Sequence, residues 1–92
     1  MSTSSFEINV YGKVQGVFFR AYTLETAEKL SLKGFVKNMN DGSVYIFVQG
    51  KLSKIEELIE WCKKGSPNAE VSNVISNEVK SSEQFTDFTI RH

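Results

Sequence analysis

Apolar and polar residues alternate from Phe6 to Tyr11, with Phe6, Ile8 and Val10 on one side and Glu7, Asn9 and Tyr11 on the other. An extended chain turns successive side chains to opposite faces, so this period of two predicts a strand with one buried face. The alternation stops between Gly12 and Arg20, where Gly12 and Gly16 mark a loop leading into the next element. From about Ala21 to Leu32 the apolar residues Leu24, Ala27 and Leu30 recur at helical spacing among the good helix formers Glu25, Glu28 and Lys29. Gly34 is read as the C-terminal stop of that helix.

Phe35 to Met39 reads as a second strand, Asn40-Asp41-Gly42 as a hairpin turn, and Val44 to Gln49 as a third strand with Val44, Ile46 and Val48 inward. A second helix follows, its start assigned to a capping box of Ser53 and Glu56 and its apolar stripe to Leu52, Ile55, Leu58, Ile59 and Cys62. Gly65-Ser66-Pro67 ends it. Beyond this point Val71, Val74 and Val79 are unevenly spaced among Asn73, Asn77 and Glu78, which suggests a fourth strand carrying a bulge. Phe88 and Ile90 mark a short final strand.

The resulting order is strand, helix, strand, strand, helix, strand, with one short terminal strand added. That is the split βαβ arrangement, an α+β fold (βαββαβ plus a short terminal strand) with a mainly antiparallel sheet. Right-handed crossovers place both helices on one sheet face, and the alternating strands leave the other face partly wet. Tyr45 and Phe47 fall on that wet face, as edge packing or as a stacking surface.

At 92 residues, 1–92 is read as a single domain, since a chain this short buries only about 60% of its unfolded surface and has no room for a second core. Eleven Lys plus Arg balance eleven Asp plus Glu, so no overall field steers the protein toward nucleic acid or anionic lipid. Any bound anion must be held locally. The single cysteine, Cys62, allows no internal disulfide and fits a reducing compartment, so a cytoplasmic protein is expected. No stretch approaches the ~20 apolar residues of a spanning helix, and Met1-Ser2-Thr3-Ser4-Ser5 lacks the features of a signal peptide. Residues 1–5 are expected to be disordered.

The loop before the first helix carries the clearest chemistry. Amides at a helix start have no intrahelical partner and lie at partial positive potential, which attracts an anion. Gly16 permits a backbone that curls the amides from about Gln15 to Arg20 into a nest, and the Arg20 guanidinium offers a planar fork matching two phosphate oxygens. Glycine in such a turn can equally serve geometry alone, and an arginine at a helix start can simply be solvated. Asn38, near the end of the second strand, could hold a water through its amide oxygen, or could begin the turn continued by Asn40-Asp41-Gly42. His92 is the only histidine and stands at a fraying end, which speaks against a histidine triad or a histidine metal site. Asp41 and Asp87 read as a turn residue and a solvated one. Trp61 and Cys62 read as helix packing.

Gly12-Lys13-Val14-Gln15-Gly16-Val17-Phe18-Phe19-Arg20 is similar to the loop signature of acylphosphatases, and Gly34-Phe35-Val36-Lys37-Asn38 followed by Asp41-Gly42-Ser43-Val44 resembles that family's second signature. The likeness continues through Gly65-Ser66-Pro67, Ala69 and Val71 to Phe88-Thr89-Ile90-Arg91, and so covers nearly the whole chain. The resemblance implies a ferredoxin-like fold and the metal-free, cofactor-free hydrolysis of carboxyl-phosphate mixed anhydrides. It assigns phosphoryl binding to Gln15, Gly16, Val17, Phe18, Phe19 and Arg20, and orientation of the attacking water to Asn38. The implied partners are a small acyl phosphate and inorganic phosphate, the latter as product and inhibitor, with the protein a monomer that binds neither nucleic acid nor membrane.

Three positions depart from common family forms. Phe18 stands where many members have glycine, narrowing the loop mouth; Met39 stands where some carry threonine, removing a supporting hydroxyl; and Tyr45 replaces a residue often charged or polar.

The alternative is a non-catalytic binding module of the same topology, for RNA or a small anionic ligand. Lys33-Gly34-Phe35 begins like an RNA-binding motif, but Val36-Lys37-Asn38 does not continue it and the net charge provides no basic footprint.

Overall fold

The computed structural model describes residues 3–92. Seven elements follow in chain order: β1 (Ser4–Lys13), α1 (Phe19–Lys29), β2 (Lys33–Asn38), β3 (Val44–Gly50), α2 (Leu52–Lys64), β4 (Glu70–Val79) and β5 (Phe88–Arg91). The strands form one sheet in the order β4-β1-β3-β2-β5. Three of the strand pairs are antiparallel, and β2–β5 is parallel. Ser4 and Ser5, expected to be disordered, are instead strand residues: Ser4 faces Gly50, and Ser5 pairs with Gln49 and Val79. Met1 and Ser2, which share that expectation, lie outside the described residues.

The alternation read from the sequence places the core. Ile8 and Val10 of β1, Val36 of β2, and Val44, Ile46 and Val48 of β3 are buried on the face that both helices cover. Ile55, Leu58 and Cys62 of α2 and Phe19 and Ala27 of α1 close over them. Leu52, assigned to the α2 stripe, is 46% exposed instead, because it is the first helical residue and precedes the turn that meets the sheet.

Three boundary assignments change. First, α1 begins at Phe19 rather than Ala21, and its N-cap is Phe18, which makes no side-chain cap bond. Second, α1 stops before Gly34. Leu32 N–H donates to the Ala27 carbonyl (2.9 Å) and Ser31 N–H to that of Glu28 (3.1 Å), the paired bonds of a Schellman cap with Ser31 in the left-handed position (φ 60°). Gly34 lies within β2, where a Cβ would stand 1.9 Å from the Phe47 carbonyl oxygen, so close strand approach requires glycine there. Third, α2 has Lys51 as its N-cap and no side-chain cap bond; Ser53 lies inside the helix, so the capping box is not formed.

The bulge expected in β4 is present. Tyr11 pairs with Asn73 but Gly12 with Val71, leaving Ser72 as the extra residue. This phase change explains the uneven valine spacing of an edge strand.

The second sheet face is less wet than expected. Phe35 and Phe47 are each only 9% exposed, because Phe85 packs at a tilt against both (5.8 and 5.3 Å between ring centroids) and the Arg91 guanidinium lies 3.8 Å from the Phe35 ring centre. The segment carrying Phe85 is fastened by Gln49, which donates to the Glu83 carbonyl (2.7 Å) and accepts from Phe85 N–H (3.1 Å). A stacking surface for bases is therefore closed over.

Candidate active site

The chain between β1 and α1 is shaped by an inward and an outward set of residues. Val14, Val17 and Phe19 are buried in the core, and this anchoring turns Gln15, Gly16, Phe18 and Arg20 toward the surface. Gly16 (φ 75°) and Phe18 (φ 62°) both adopt the left-handed backbone conformation. A Cβ at Gly16 would meet nothing within 4 Å, so glycine is favoured there by backbone geometry alone. Phe18 has no such freedom, and the left-handed conformation costs it on the order of 1–2 kcal/mol.

Two tethers hold this loop from behind. The Ser66 hydroxyl donates to the Val17 carbonyl (2.8 Å), and the Gln15 side-chain amide donates to the carbonyls of Met39 (2.8 Å) and Ser43 (2.9 Å). The first fixes the loop to the end of α2. The second fixes it to the β2–β3 turn, which begins directly after Asn38. That turn is closed by Met39 N–H donating to the Ser43 carbonyl (2.8 Å) and by Asp41, whose carboxylate accepts from both the hydroxyl and the amide of Ser43. Those bonds, the hydroxyl's above all, hold the Asp41 carboxyl below its ordinary pKa.

Because the tethers use a carbonyl and a side chain, the loop amides stay free. Among the described residues, no amide from Gln15 to Arg20 donates in any of the turn and loop bonds. The amides of Phe19 and Arg20 belong to the first turn of α1, which provides them no acceptor. Gln15, Gly16, Phe18, Phe19 and Arg20 line a cavity of about 460 Å³ together with Val14, Ala21, Asn38, Ile90 and His92.

Arg20 lies at the second position of α1, and its Nη1 is 3.2 Å from Nδ1 of His92. A guanidinium can only donate, so this contact requires the lone pair on Nδ1. His92, at the end where fraying is expected, lines the cavity beside Arg20, carried there by the parallel pairing of β5 with β2. Asn38 ends β2 and lines the same cavity, and its buried Oδ1 has no hydrogen-bond partner among the described residues. An acceptor kept from water without a partner costs about 1–3 kcal/mol, and a donor bound in the adjoining cavity would offset that cost.

Of the residues predicted from the sequence, Gln15, Gly16, Phe18, Phe19, Arg20 and Asn38 line the cavity and Val17, buried in the core, does not; the Gln15 side chain is committed to the turn, which leaves its backbone for the cradle. Sequence reasoning missed Ser66 and His92. Elsewhere, burial pushes the Cys62 thiol up to about 12, which makes it inert. Among the described residues, no group of three or more His, Cys, Asp or Glu side chains comes together.

Two helices laid on one face of a mixed five-stranded sheet, with the cavity where the first helix begins, define a ferredoxin-like α+β domain. The model of the Acylphosphatase family matches residues 6–90. An acylphosphatase of Shewanella amazonensis is 51% identical over 83 residues, covering 90% of this chain and 91% of the relative. Among solved structures, an acylphosphatase from Coxiella burnetii is 42% identical with a TM-score of 0.92, over 97% of this chain and 93% of the other. One from Bacillus subtilis is 36% identical with a TM-score of 0.93, over 97% and 99%. The chain belongs to the acylphosphatase family, and is an enzyme, a hydrolase.

Proposed function

We propose that this acylphosphatase cleaves carboxyl-phosphate mixed anhydrides without a metal, the phosphoryl group resting on the amides of Gln15 to Arg20 and on the Arg20 guanidinium while Asn38 orients the attacking water. The observation that carries this reading is the convergence, around one cavity, of loop residues with undonated amides, of Arg20, and of Asn38 with its buried, unpartnered oxygen.

Amides at a helix start stabilise the negative charge of the phosphoryl oxygens, and Arg20 adds a full positive charge that persists at any working pH. The Asn38 oxygen accepts a hydrogen bond from water and so aims a lone pair at phosphorus, opposite the leaving carboxylate. A carboxylate departs without first being protonated, so no strong general acid is needed. Positioning and charge stabilisation then provide most of the rate.

The carboxylate and inorganic phosphate leave as products, and phosphate competes with substrate for the same cradle. The chain acts as a cytosolic monomer on a small molecule rather than on nucleic acid or lipid. Zero formal charge and the single buried cysteine support this reading, and no helix among the described residues is long and apolar enough to cross a membrane.

Hydrolysis of benzoyl phosphate, followed with and without a chelator, tests the proposal. Activity should be unchanged by the chelator and competitively inhibited by phosphate. Arg20→Ala and Asn38→Ala should each lower turnover by about 10²-fold or more. Full activity in both folded variants would refute the assignment, and loss of activity in chelator would refute the metal-free mechanism.

A further inference from the structure

Phe18 is unfavourable on two counts, and the helix cap it forms accounts only for the first. Its backbone is left-handed, a conformation that residues with a Cβ rarely adopt, and its ring is 74% exposed. The neighbouring Phe19 is buried against Trp61, with 5.2 Å between ring centroids, so the core is already served by the adjacent aromatic. A strained backbone that carries an exposed apolar side chain points to function when it lies at a site, and Phe18 lines the same cavity as Arg20 and Asn38.

A further feature extends this observation. The cavity itself, about 460 Å³, falls within the roughly 300–1,000 Å³ of sites that take an organic molecule, and Val14, Ala21 and Ile90 add apolar lining. A phosphoryl group with an acetyl-sized substituent leaves these surfaces unused.

We propose that Phe18 binds the acyl part of the substrate and directs the enzyme toward acyl phosphates with aromatic or extended apolar acyl groups. This specificity role rests on the placement of the phosphoryl group at the Gln15 to Arg20 loop. The left-handed backbone lets the ring leave the loop on the cavity side while its own amide remains in the nest. Contact remote from the reacting phosphorus then contributes to holding the anhydride in line for attack.

The test is the ratio of kcat/KM for benzoyl phosphate to kcat/KM for acetyl phosphate, a quantity independent of the fraction of protein that is folded. Phe18→Gly and Phe18→Leu should lower the ratio about fivefold and twofold respectively, and Phe18→Tyr should preserve it, the scale of one aromatic contact. An unchanged ratio in Phe18→Gly, whether both activities fall together or neither moves, would overturn the proposal. Arg20→Ala separates the underlying assignment: if that variant is still inhibited by phosphate as strongly as the parent, the cradle is misplaced, whatever the Phe18 ratio.

Discussion

Replacing Gln15 by glutamate exchanges one NH₂ for an oxygen and keeps the length and shape of the side chain. In the parent, that NH₂ donates to the carbonyls of Met39 (2.8 Å) and Ser43 (2.9 Å). An ionised glutamate has no donor, so both bonds are lost and a carboxylate faces two carbonyl oxygens. Neither carbonyl is orphaned, since Met39 O still accepts from Gly42 N–H (3.2 Å) and Ser43 O from Met39 N–H (2.8 Å). The loss is therefore that of two neutral hydrogen bonds, about 1–3 kcal/mol in all, with carboxylate-carbonyl repulsion added. For a domain of this size, 2 kcal/mol corresponds to a Tm lower by about 8–16 °C.

The pH dependence provides a second, independent sign. A carboxyl facing two acceptors is favoured in its protonated, donating form, so its folded pKa is raised above the unfolded value of about 4.3. A raised folded pKa gives stability that is present below the unfolded pKa and lost as pH rises through the folded one. The deficit of Gln15→Glu should thus be widest at pH 7 and narrow toward pH 4. Thermal unfolding of parent and variant at both pH values is the assay, with phosphate inhibition as the functional readout, weakened by a negative charge at the cradle. A variant melting within about 2 °C of the parent at pH 7 would show that Gln15 does not clamp the loop to the turn.

Three other outcomes are expected. Ser31→Gly should raise stability by roughly 0.5–1 kcal/mol in chemical denaturation, since it relieves the left-handed strain at φ 60° but loosens the unfolded chain. His92→Ala removes the acceptor that fixes Arg20, and should raise the inhibition constant of phosphate about two- to fivefold. Cys62 and Tyr45 are both pushed up to about 12, the thiol by burial and the phenol by burial and then the hydrogen bond and charge of Glu7. These raised values stabilise the fold below the unfolded pKa values of 9.0 and 10.0, so stability should decline as pH rises from there toward 12, and the decline should start later in Cys62→Val.

What could be read from the sequence was what repeats locally. The alternation in β1 and β3 was plain because one face of each lies against the helices, and the same argument placed both helices on one side. The start of α1 was not, because Phe18 caps it through backbone geometry, without the serine, threonine or aspartate that usually marks such a position. Its end was misplaced for a related reason: Ser31 takes the left-handed role that glycine normally holds, which drew attention to Gly34. The cradle was legible as a pattern of residues, but its supports were not. Gln15 reaches 24 and 28 residues along the chain, Ser66 reaches back 49, and Arg20 meets a histidine 72 residues away. No local periodicity encodes contacts of that range.

Those long reaches also bear on how the enzyme comes into being. The turn after β2, the end of α2 and the edge strand β5 each provide one support, so a chain that has brought together only neighbouring segments has no working cradle. Closing such distant contacts is slow compared with forming a helix. During refolding, recovery of hydrolysis should therefore trail the helical signal, and a partly folded chain should be inert toward acyl phosphates rather than a poor catalyst.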